Sequence, residues 1–187
     1  MANTTYMSWT ISLPEADLPG EWAAADALLP EAIGLPGALM SASRGDWLHF
    51  ALRNVVAEFG GSALAFLVKD PVSPPDDRLR SKEKWLMTAL PHAGITGALA
   101  EIDSLLVTAA KHPERFEAAM ANFDAAWIAQ DARDALDLTK EEVQNSGLAE
   151  DGDRPIYFFS FLKGLRTVLL DAQTRRMAVL HLHYVYD

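Results

Sequence analysis

Two histidines stand two residues apart, His181 and His183, in the last apolar run of the chain, Ala178 to Tyr186. In an extended segment alternate side chains share a face, so both imidazoles point the same way and can ligate one metal ion through neutral ring nitrogens. A third ligand is then required, from His49, His92, His112 or a carboxylate, and no H-E-x-x-H pair, cysteine pair or calcium loop supplies it. With such a ligand the chemistry would be metal-assisted hydrolysis. Packing is the competing use, because Leu180, Leu182, Tyr184 and Tyr186 fall on the opposite face and give the segment a core role. His49 sits in Trp47-Leu48-His49-Phe50-Ala51-Leu52, where apolar neighbours lower an imidazole pKa and suit a general base. No acid or nucleophile is placed beside it beyond Asp46, whose position also suits a helix cap, so a hydrogen bond that locks packing is the expected role.

Other chemistries find little support. Neither Ser62 nor Ser160 lies in a G-x-S-x-G turn, and the 11 glycines form no phosphate-cradling motif. No cofactor is called for by any motif. The absence of cysteine removes thiolate nucleophiles, disulfides and Cys-based metal sites. Carboxylate pairs such as Asp131/Asp134, Asp134/Asp137 and Glu141/Glu142 would serve glycoside hydrolysis only at a defined separation across a cleft, which spacing along the chain does not set.

Charge is the stronger signal. Twenty-six acidic side chains against 16 basic ones give a net charge of -10, which disfavours nucleic acid and anionic membrane surfaces and favours a basic partner. Residues 114–153 hold 11 of the acids against Arg115, Arg133 and Lys140, while residues 154–176 hold five bases and only Asp171. Asp124, Asp131, Asp134, Asp137, Glu141 and Glu142 are therefore the expected partner-binding residues. The first 14 residues lack the basic start and long apolar run of a secretory signal, and the longest apolar runs fall well below the ~20 residues of a membrane-spanning helix, so a cytoplasmic protein is expected. These features lead to an acidic binding module that neutralises a basic toxin by contact, as an immunity protein does. The alternatives are the metal-assisted hydrolase at His181 and His183, and a structural module that self-associates through its tryptophans.

The elements that position these residues follow from periodicity. Tyr6 to Leu13 alternates and stops at Pro14, a strand; the following stretch to residue 44 is rich in proline and glycine and reads as an irregular cover with a short helix at Glu21 to Leu29. Leu48, Ala51, Leu52, Val55, Val56 and Phe59 recur helically before Gly60-Gly61. Ala63 to Val68 is a continuous apolar run, read as a buried strand. Residues 71–84 form an exposed connection, rich in proline and then in base at Arg78, Arg80, Lys82 and Lys84. Helices are predicted over Thr96 to Lys111, over Glu114 to Leu136 with Phe116, Met120, Phe123, Trp127 and Ile128 on its apolar face, from the capping pattern at Thr139, and over Pro155 to Arg176, before the terminal strand.

A family resemblance adds to this reading. Trp47 to Leu52, the Ile102 to Met120 region with Pro113-Glu114-Arg115-Phe116, and Phe161-Leu162-Lys163-Gly164-Leu165-Arg166 before the last strand resemble the YfbM-like family of small bacterial proteins. The resemblance covers roughly residues 45–187; the first 44 residues and the Pro71 to Lys84 insertion depart from it. It implies a bacterial α+β domain and carries no catalytic residue with it. The 187 residues are expected to form one helix-rich α+β domain with a small sheet that includes an N-terminal and a C-terminal strand.

Overall fold

Alternating large and small side chains make Thr5–Leu13 a strand, β1, and Pro14, which has no N–H for a ladder, ends it. The computed structural model describes residues 5–20, 24–25, 27–28, 38–44, 47–59, 61–68, 83–120, 123–138 and 155–186. Three further strands join β1: β2 (Ala38–Arg44), β3 (Glu83–Leu90) and β4 (Ala178–Tyr186). The sheet order is β2-β1-β4-β3, antiparallel throughout. The first and last strands of the chain are thus the two central ones, paired from Thr5 opposite Tyr186 to Leu13 opposite Ala178. Together with the α-helices among the described residues this is the α+β architecture expected from the pattern.

Two strands correct the reading of the chain. Residues 38–44 belong to β2 rather than to an irregular cover, and β3 begins at Glu83, inside the segment read as an exposed connection, and continues to Leu90. Neither Ala38–Arg44 nor Glu83–Leu90 alternates cleanly; each is a strand because it meets one edge of the β1–β4 pair, whose free amides and carbonyls need partners. A third correction concerns Ala63 to Val68, where Leu64–Leu67 forms a 3-10 turn instead of a strand. Glu101 decides this: its carboxylate accepts the amides of Ala63 at 3.0 Å and Leu64 at 2.9 Å, which fixes the backbone as a capped turn.

The long helices among the described residues are α1 (Trp47–Phe59), α2 (Ile95–Lys111), α3 (Ala125–Asp137) and α4 (Pro155–Arg175), and residues 24, 25, 27 and 28 are also helical, within the short helix expected at Glu21 to Leu29. Bonds between Asp103 and Arg166 and between Thr96 and Gln173 run in opposite directions along α2 and α4, so these helices are antiparallel. The helix expected over Glu114 to Leu136 is interrupted. A 3-10 turn at Pro113–Arg115 leads into non-helical turns, and α3 starts afresh where Asp124 accepts the Trp127 amide at 2.9 Å. The 20-residue stretch His92–Lys111 is long and apolar enough, by length and composition, to cross a membrane, with a mean hydropathy of 1.3, where the sequence reading expected no such stretch. Its residues Ile95, Ala98, Leu99, Ile102, Leu105, Leu106 and Ala109 are buried in the core.

Period-two alternation divides the sheet into two faces. Trp9, Leu13, Leu180 and Leu182 point to one side, under Leu18, Ala25 and Leu28 of the N-terminal segment. Leu39, Leu90 and Val179 point to the other, into the main core with the helices. That helix-facing side also carries an unusual polar row: Thr10 opposite both Leu39 and His181, and His181 opposite Thr88.

Candidate functional site

His181 and His183 share the helix-facing side of β4, as their spacing implies. Their environment differs from a half-exposed terminal strand, because β4 is central and both rings are covered: His181 is 1% exposed and His183 is 9% exposed. α1 brings His49 down onto them. The His49 and His183 rings stack with centroids 4.6 Å apart and planes 28° from parallel. His181 shares a hydrogen bond with the Thr10 hydroxyl through Nδ1 at 3.0 Å and meets the Phe66 ring edge-on at 6.2 Å. Burial, then His183 and His49, push the His181 imidazole down to about 3; burial and His49 push His183 down to about 3. Charging either ring would remove it from water beside other histidines, so both stay neutral at pH 7.

This arrangement is poor for the chemistry first considered. Neutral rings suit metal ligation, but a ring that takes up its second proton only near pH 3 is no general acid near neutrality, and His181 at 1% exposure is out of a substrate's reach. A face-to-face stack also aims the lone pairs of both rings outward along their planes. Among the described residues no three histidine, aspartate or glutamate side chains form a group able to hold a metal ion. His112 is exposed and pairs with Glu114 at 3.5 Å, and His92 opens the turn into α2 with its amide on Glu15. Of the two serines, Ser160 is 4% exposed within α4 and Ser62 lies on the surface.

The expected partner-binding acids separate on the structure. Asp131 is a correction: it is 1% exposed, and its Oδ2 accepts the Ile156 amide at 3.0 Å at the start of α4. A carboxylate turned inward to cap a helix is closed to a partner. Asp124, Asp134 and Asp137 are exposed, the first capping α3 and the second accepting the Gln130 amide group at 2.7 Å. Glu141 and Glu142 lie outside the described residues, as does the capping pattern at Thr139.

Trp127 is the residue that periodicity misassigned. The single helix expected from Glu114 puts it on the buried face with Phe116, Met120 and Ile128, yet it is 52% exposed, because the break before Asp124 resets the helical phase and turns Ile128, as expected, inward with Ala132 and Ala135. Trp127, Gln130, Asp134 and Asp137 follow one another at three- and four-residue steps, so they form a single outward ridge on α3. On the adjoining helix, burial lowers the Lys163 amine from its usual value against the pull of Asp137, with Arg166 adding to the lowering. Lys163 donates to the Leu136 carbonyl at the end of α3, and Arg166 pairs with Asp103 at 2.6 Å.

Comparison with protein-family models, curated proteins and solved structures finds no match to this chain. No relative's site can therefore be carried over to these residues.

Proposed function

We propose that the chain is an acidic cytoplasmic protein-binding module of bacterial origin that neutralises a basic protein, of the kind an immunity protein opposes to its toxin. The observation that carries this reading is the α3 ridge, where a tryptophan that is 52% exposed stands in line with exposed Asp134 and Asp137. Large exposed aromatics are the residues most often found at the energetic centre of a protein interface, and carboxylates around one select a cationic partner and speed its approach. The net charge of -10 extends the same attraction beyond the contact. The resemblance to YfbM-like proteins suggests the bacterial setting.

The test begins with a low-salt pull-down from bacterial lysate and continues with the recovered partner in pure form. A basic protein that stops growth when expressed alone, and is silenced by co-expression of this chain, is the expected result. Replacing Trp127 by Ala, or Asp134 and Asp137 together by Lys, is expected to weaken the complex at least tenfold while leaving the fold intact. Unchanged affinity in both variants would remove the ridge from the interface, and a partner without basic character would remove the reading.

A further inference from the structure

The sheet has two edges, and the chain finishes them differently. At one, β3 opens with Glu83-Lys84, charges that resist a further strand, and the Leu64–Leu67 turn lies against it, its Phe66 carbonyl accepting the Thr88 hydroxyl. At the other stands β2, Ala38-Leu39-Met40-Ser41-Ala42-Ser43-Arg44. It pairs residue for residue with β1, from Ala38 opposite Ile11 to Arg44 opposite Thr5, so no bulge twists it away, and it contains no proline and no charge before Arg44. Among the described residues no strand pairs with its outer side. We infer that β2 is a self-association edge: the β2 strands of two copies of this chain pair antiparallel about a two-fold axis at Ser41 and join their sheets into one.

The occupant is a second copy because the strand complements its own reverse. A two-fold axis at Ser41 sets Leu39 of one copy opposite Ser43 of the other, Met40 opposite Ala42 and Ala38 opposite Arg44, so each large residue meets a small one and no like charges face each other across the seam. The faces match as well. Leu39, Ser41 and Ser43 share the helix-facing side with Thr10 and Ser8, and in this register they meet only one another, as period-two alternation requires. Charge agrees at both ends of the seam. Ala38 lies at the end of the sheet where β1 runs on into the exposed Glu15 and Asp17, and the reversed copy brings its Arg44 to that end. In a chain of net charge -10 this local attraction acts against the general repulsion between copies. A seam of seven residues a side is short, so the dimer is weak and depends on concentration. The pairing uses neither Trp127 nor the acids of the α3 ridge, so it stands apart from the function proposed above.

Sedimentation equilibrium of the unaltered chain over about 1 to 500 µM is expected to show the mass rising from one chain toward two. Because the chain has no cysteine, an introduced thiol can form a disulfide only with its counterpart in another copy. Ser41→Cys at the axis lies about 5 Å from that counterpart, within disulfide reach, whereas Ser43→Cys lies about 14 Å from its own. Under mild oxidation Ser41→Cys is expected to crosslink about tenfold faster, or more, than Ser43→Cys and than Ala126→Cys, an exposed position on α3 that reports random collision. Should Ser41→Cys fail to fold, amide hydrogen exchange of the unaltered chain at the two ends of the concentration range takes its place, with slowing expected at residues 38–44 and none along α3. The edge pairing is overturned if the chain stays monomeric throughout the range, if Ser43→Cys or Ala126→Cys crosslinks as fast as Ser41→Cys, or if exchange slows elsewhere and not in β2.

Discussion

The side chain of Asp131 accepts the amide of Ile156 at 3.0 Å, so one helix caps the next across 25 residues of chain. With Asp131 only 1% exposed, removing its carboxylate leaves a partly buried amide at the first turn of α4 without that acceptor. Asp131→Ala is expected to lower unfolding free energy by about 1–3 kcal/mol, measured by urea denaturation, whereas Asp134→Ala on the exposed side of the same helix is expected to change it by less than about 0.5 kcal/mol. Equal effects at the two positions would contradict the capping role.

A similar duty falls to Glu101, whose two carboxylate oxygens hold the amides of Ala63 and Leu64. Glu101→Ala is expected to cost about 1–3 kcal/mol and Glu101→Gln less, since an amide keeps one acceptor. Gly61→Ala provides an independent probe, because a Cβ there would come within 2.8 Å of Glu101 Oε2 and push the carboxylate off its amides. If Gly61→Ala destabilises the wild type but has little further effect in Glu101→Ala, the two act through the same contact.

Arg176 ends α4 with a φ of 56°, a left-handed conformation that L side chains adopt at a cost. Around it Met177 donates to the Ala172 carbonyl at 2.8 Å and Arg176 to that of Gln173, the paired bonds of a Schellman turn that aims the chain straight into β4. Arg176→Gly is expected to raise stability by up to about 1 kcal/mol in the same denaturation assay. A loss of stability would show that the exposed arginine makes a contact worth more than the backbone strain.

His181 and His183 give the fold a pH dependence of definite sign. Their pKa in the folded chain is lowered to about 3 from an ordinary 6.5, so the unfolded chain binds more protons between those values. Their contribution is complete above about pH 6.5 and is lost as pH falls toward about 3. Urea unfolding at pH 7, 6 and 5 is expected to show this decline, with a shallower slope in His183→Phe. A variant slope equal to that of the wild type would mean that carboxylates alone carry the acid sensitivity.

Much of this molecule can be read from local pattern. The apolar spacing from Leu48 to Phe59, from Leu99 to Ala109 and from Phe158 to Ala172 predicts three of the helices, and alternation predicts β1, β4 and the shared face of His181 and His183. These are properties of neighbours along the chain, since a helix repeats every 3.6 residues and a strand every two. The small-residue strand β2, the 3-10 turn at Leu64, the inward turn of Asp131 and the outward one of Trp127 each depend on a partner or a break that composition does not announce. The histidines show the division most clearly. Sequence alone determined that His181 and His183 face one way. The pairing of β4 with β1, which sets His181 against Thr10 across 171 residues, decided that they are buried and neutral instead of open to a ligand, because a strand flanked on both edges and roofed by helices has no solvent left to hold a charge.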